Sequence, residues 1–204
     1  MTTETAVEKT TRHTNPDGTV GGLIGPNATV APTAYVGYDA QVYGNAQVSG
    51  TAQVFGTAQV YGYAQVSGNA EVSEHALVTG YAQVTEYALV SGRATVAGNA
   101  QVFGDAQVSE YAQVTGNAKV SGTAMVYGNA WVREYAQVSE RAEVAGDALV
   151  SGHAKVSGTA EVSGTAMVYG NAWVREYAQV SGRATVAGSA LVTGNAQVTE
   201  HTHV

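Results

Sequence analysis

One arrangement of apolar and polar positions fills the chain. From Asp39 to Glu200 the sequence divides into 27 consecutive hexapeptides without insertion or deletion, each with Ala second and Val fourth. Asn45-Ala46-Gln47-Val48-Ser49-Gly50 is typical. Three earlier units, Gly21 to Tyr38, keep the phase through Ile24, Val30 and Val36. Positions two and four fall on one side of an extended segment, and three and five on the other. The sixth residue is Gly in 20 units and Glu in seven. With the next unit's first residue it breaks the alternation, which predicts a short strand and a corner every six residues. Glu in the glycine slot suggests that the corner does not strictly demand a positive φ.

Three six-residue sides make a coil of 18 residues, each strand lying on its equivalent one coil away at about 4.8 Å. Thirty units then predict about ten coils and a triangular prism roughly 48 Å long. Composition agrees with a narrow bore: Ala and Val supply 66 of the 91 hydrophobic residues, while Leu and Ile together number six and Phe two. A ball-shaped core filled by large side chains is excluded on volume. One coil cannot stand alone, because ordering each residue costs about 1–2 kcal/mol of backbone entropy and a buried Val returns only about 1.5–3 kcal/mol. Stability has to come from stacking. Stacking also aligns Gln47, Gln65, Gln83 and Gln101, which predicts a glutamine ladder.

Charge and chemistry narrow the function classes. Net charge is −7, and no Lys or Arg lies between Arg12 and Arg93, so the basic stripe needed for nucleic acid is absent. No apolar run is long enough for a membrane helix. There are no cysteines, which removes disulfides and thiolate metal sites. The first residues, Met1-Thr2-Thr3-Glu4-Thr5, lack a signal-peptide pattern, which makes the cytoplasm the default compartment.

The segment Ile24-Gly25-Pro26-Asn27-Ala28-Thr29, followed by Val30-Ala31-Pro32-Thr33-Ala34-Tyr35 and Val36-Gly37-Tyr38-Asp39-Ala40-Gln41, resembles the bacterial hexapeptide-repeat signature. From Val42 onward the pattern departs, with glycine two residues after the valine, and looks like an Ala-x-Val-x-Gly branch of that superfamily. The resemblance implies an all-β, single-stranded left-handed parallel β-helix; the handedness comes from the resemblance alone. Uninterrupted phase adds that no loop is inserted. The resemblance further implies acyltransferases acting on CoA or carrier-protein thioesters, as trimers with a histidine base at a cleft between subunits. A related branch holds zinc between subunits through three histidines.

Candidate residues are few. His75 and His153 are the candidates for a catalytic base, yet both occupy first, corner positions and lie 78 residues apart, four coils plus one face, so they do not converge within one chain. They read as exposed corner residues. His201 and His203 alternate on one side of a strand and are the candidates for a metal. No cofactor is expected, and no Thr-x-Thr array of the ice-ordering kind occurs. One face carries Leu77, Trp131, Leu149 and Met167 at its outward centre with Tyr43, Tyr61 and Tyr169 beside them, the expected interface.

Residues 123–152 and 165–194 match at 26 of 30 positions with an offset of 42, or seven units. Seven is not a multiple of three, so the second copy is expected one face further round. Growth that keeps the bore and scrambles the faces suits a selected rod. The function expected is therefore a non-enzymatic structural or interaction module, a spacer, scaffold or self-assembling element. The alternatives are an acyltransferase with an inter-subunit site and a polysaccharide- or surface-binding rod. Partners expected are copies of the chain, as a trimer or end-to-end stack, or a protein or glycan not identified by sequence. Residues 1–20 are read as a polar arm or a cap, and 21–204 as the solenoid; the open last coil suggests a removed capping domain.

Overall fold

The computed structural model describes residues 10–204. Part of the N-terminal segment, residues 1–9, lies outside the described residues. Thirty-one strands are present among them, and all but the first two are two residues long, each made of a unit's third and fourth residues. They assemble into three sheets in which each strand pairs with the strand three units on. We call them sheet 1, running from Leu23 to Thr185, sheet 2, from Thr29 to Leu191, and sheet 3, from Tyr35 to Gln197. Pairing is parallel and in register at 18 residues, as for Gln83 with Gln101 and Val84 with Val102. The protein is thus an all-β parallel solenoid of about ten 18-residue coils on three sides, the architecture expected from the period.

Coils are joined by strand pairing and by further backbone rungs around it. Third-position N–H groups donate to second-position carbonyls of the next coil (Gln83 to Ala100, 2.9 Å), fifth to fourth (Thr85 to Val102, 3.0 Å) and first to sixth (Tyr87 to Gly104, 2.9 Å). Inside, every second-position Ala and fourth-position Val from Ala34 to Val186 is at most 1 % exposed. Gln47, Gln65, Gln83 and Gln101 stack in register on sheet 2. Gln101 Nε2 donates a hydrogen bond to Gln83 Oε1 at 3.3 Å.

The corner corrects one expectation. All seven sixth-position Glu residues have positive φ, from 57° to 65°, as do the glycines of that position. The corner therefore does demand the left-handed conformation, and Glu adopts it despite a penalty of about 1–2 kcal/mol. Space is also short: a Cβ on Gly98 would lie 2.9 Å from the backbone O and 3.0 Å from the backbone N of Gly116.

At the first coil, β1 (Thr11–Thr14) pairs antiparallel with β2 (Val20–Ile24). Asn15, 3 % exposed, accepts the Val36 N–H at 2.9 Å and donates to Thr19. His13 Nε2 lies 3.0 Å from the Ala34 carbonyl. Arg12 donates to the carbonyls of Gly21 and Tyr38 and lies over the Tyr38 ring. These side chains use edge groups that a preceding coil would otherwise engage. Asp17, held by the Thr19 hydroxyl and then its N–H, has its carboxyl lowered below the usual carboxylate range.

The bore is matched to Ala and Val in volume. Val102→Ala is expected to lower stability by about 1–3 kcal/mol through a cavity, and Val102→Leu by about 1–3 kcal/mol through overpacking. Thermal or denaturant unfolding checks both; a stabilised Leu variant would show that the bore is not filled.

Candidate functional site

With the interior uniform, chemistry is confined to corners and outward faces. Corner residues one coil apart touch in rows. Thr57 Oγ1 lies 2.6 Å from His75 Nδ1, Asn99 donates to Asn117 at 3.2 Å, and Asn129 donates to Asp147 at 2.8 Å. Tyr63 stacks on Tyr81 at 4.9 Å, and Tyr135 on His153 at 4.8 Å with 8° between planes. His75 and His153 are therefore ladder members on different corners, and the structure does not bring them together. His75 borders an open notch of about 440 Å³ at Gly92, between Glu74 and Glu110. His201 and His203 are exposed, and His203 bridges to Thr185 in parallel. Among the described residues no group of three or more His, Cys, Asp or Glu could hold a metal ion.

Sequence reasoning missed the role of the corner glutamates. Glu86, Glu110, Glu134, Glu140 and Glu176 each accept, through Oε2, the backbone N–H of the Gly one coil on, at 2.7–3.0 Å. That N–H is not among the ladder donors of positions one, three and five. Each Glu bond thus adds a side-chain rung to the backbone stack. The signal was present at a separation of 18: every Glu of the sixth position except Glu200 has Gly both 18 before and 18 after it. Two successive carboxylates there would stand about 4.8 Å apart and repel.

The outward apolar residues of sheet 1 are contiguous. Trp131 is in register with Leu149, and Leu149 with Met167. Leu149 is lower than its neighbours, which leaves an open groove of about 380 Å³ edged by Trp131, Met167, Arg133 and Asp147. Beside it Ser151 is buried, between Arg133 and Tyr169. Further along the same sheet Tyr43 stacks on Tyr61 at 4.8 Å, and Leu77 is half-buried. Burial, then the charge of Tyr61, raises the Tyr43 hydroxyl above its usual range. The duplicate Trp173 stands on sheet 2, next to Leu191, with the Lys155 ammonium 4.8 Å from its ring centre. The Nε of Arg133 and its counterpart in the duplication, Arg175, are buried without a hydrogen-bond partner. On sheet 3, Tyr127 donates to Glu143, and that bond, ahead of burial, pushes the Tyr127 hydroxyl up to about 12.

The six-residue period and the three parallel sheets define a three-sided parallel β-solenoid. More narrowly, residues 178–194 match the family model described as YdcK Beta solenoid repeat. Among curated proteins none matches. Among solved structures, the UDP-N-acetylglucosamine acyltransferase of Francisella novicida is similar at 13 % identity and a TM-score of 0.40, over 86 % of this chain and 63 % of that one. The chain thus spans less than two thirds of that protein's length. Among the described residues no helix is long and apolar enough to cross a membrane.

Two measurements test the site's local physics. At φ 64°, Glu86→Ala keeps the strained corner and loses the carboxylate bond, so it is expected to destabilise by about 1–2 kcal/mol, whereas Glu86→Gly relieves the strain and loses less. Equal melting temperatures for the two variants would contradict this. Ultraviolet titration should show one tyrosine, absent in Tyr127→Phe, ionising near pH 12 and moving down towards 10 in Glu143→Gln. The raised value means that the bond stabilises the fold below pH about 10 and is lost as pH rises through about 12.

Proposed function

We propose that the protein is a non-enzymatic scaffold: a rigid β-solenoid rod whose length and regular faces position partners. The observation that carries this reading is the rotated duplication. Trp131, Arg133 and Leu149 recur as Trp173, Arg175 and Leu191, but on sheet 2 instead of sheet 1, while the Ala/Val bore runs through both copies unbroken. A reaction centre confined to one face would be cut apart by such a step. A rod gains only length and a second copy of a sticky patch. The partner-facing surface in this reading is sheet 1, with Leu77, Trp131, Leu149, Met167, Tyr43, Tyr61 and Tyr169. Aromatic and Arg residues are the usual anchors of protein interfaces. Assembly as a homo-oligomer would multiply that surface.

Removing residues 93–110 takes out one whole coil. It is expected to give a folded rod shorter by about 4.8 Å, with every downstream side chain on its original face. Removing only residues 93–98 should also fold, but carries Trp131 from sheet 1 to sheet 3. Small-angle scattering and circular dichroism check both. Saturable acetyl-CoA binding in calorimetry, lost in His75→Ala or His153→Ala, would overturn the scaffold reading in favour of acyl transfer.

A further inference from the structure

The register of the coils sorts the outward charges by face. At the third and fifth positions of sheet 2 the charged residues are Lys119, Lys155 and Arg175, all positive. At the same positions of sheet 3 they are Glu71, Glu143 and Glu161, all negative. Sheet 1 carries Arg133 alone. The net charge of −7 hides this division, because most of the excess acid sits on the corners. From the geometry of these faces we infer that sheet 2 of one copy packs against sheet 3 of a second copy, side by side with axes parallel. The inference rests on the scaffold reading and names how the rods associate.

Three observations support the pairing. First, Glu143 and Glu161 are direct register partners on sheet 3, a like-charge juxtaposition that a sheet tolerates poorly unless a counter-charge faces it. The lysines of the same chain point out of a different side of the prism and diverge from that pair. Second, the axial levels interleave. Lys119 and Lys155 are two coils apart on sheet 2, with Gln137 between them. With no axial offset between copies, Lys155 falls at the level of Glu161, and Glu143 falls between the levels of the two lysines. Third, both faces are flat and long enough. About 48 Å by roughly 17 Å gives on the order of 800 Å² per partner, the size of a standard interface. Exposed Trp173 and Leu191 add apolar area on sheet 2, where sheet 3 presents Gln179 and Gln197 at the matching levels. Contact between two different faces is heterologous, so it propagates from copy to copy rather than stopping at a pair. Sheet 1 stays free in every copy.

The test is sedimentation of the full chain across a range of concentration and salt. Self-association is expected at low salt and is expected to weaken at ~1 M, where the Debye length is about 3 Å. The double variant Lys119→Glu with Lys155→Glu should weaken association about tenfold or more. So should Glu143→Lys with Glu161→Lys. Mixing the two double variants should restore association, because each supplies the complementary face that the other has lost. All four positions point outward, and circular dichroism confirms the fold of each variant. A monomer at every concentration and salt would overturn the inference, as would association that survives both charge reversals, or one that Trp131→Gln alone abolishes. Scattering on the same samples reads the rod separately: a monomeric rod of full length leaves the scaffold reading standing while this contact falls, whereas a collapsed or flexible chain removes the scaffold reading itself.

Discussion

Coil-to-coil hydrogen bonding is the constraint from which the rest follows. Amide and carbonyl groups of each strand meet those of the strand 18 residues on, at about 2.9 Å for the third and fifth positions. The spacing between strands is then fixed at about 4.8 Å, and every side chain acquires a neighbour of the same position above and below it. With one Ala and one Val turned inward from each side, the bore is narrow, and only Ile24 at the first coil places a larger side chain in it among the described residues. Deficiency of Leu, Ile and Phe is the signature of that bore, not of a weak core.

The same constraint explains the corners. Each corner must redirect the chain to the next side within two residues without disturbing the ladder, and the sixth position there takes a positive φ. Glycine meets the demand freely. In five of the seven glutamates the side chain returns to the corner above and binds an N–H outside the ladder, as Glu134 does for Gly152 at 2.7 Å. Strain in the backbone is offset by a charge-assisted bond. That exchange works only when the next corner is glycine, which is the arrangement around Glu74, Glu86, Glu110, Glu134, Glu140 and Glu176.

Function is left to the outer residues, which the ladder does not choose but does align. Trp131, Leu149 and Met167 are 18 apart and become one apolar row; Lys155 and Glu161 are six apart and face different ways. Chain growth by whole hexapeptides changes which outer residues are neighbours while leaving the ladder intact. Sheet 1 acquired Met167 from the second copy of the duplication beside Trp131 and Leu149 of the first. A row assembled in this manner joins residues of both copies on one outward face.

The period by itself determined the sheets, the register, the coil size and the identity of the buried residues, from Ala34 and Val36 to Ala184 and Val186. This is because the alternation of sides is a property of the extended chain, and a constant six-residue repeat leaves only one way to bury it. That Leu77, Trp131, Leu149 and Met167 share one face was likewise legible, since a shared face needs only counting by 18. Three features needed the tertiary structure. The φ of the glutamates depends on the space and the N–H offered by the neighbouring corner, neither of which lies within six residues of the Glu. The use of Asn15, His13 and Arg12 at the first coil depends on residues 21 and more positions away, Val36, Ala34 and Tyr38. The opposite charges of sheets 2 and 3 belong to no local pattern, because a sparse set of Lys, Arg and Glu becomes a field only when stacking places equivalent residues on one side.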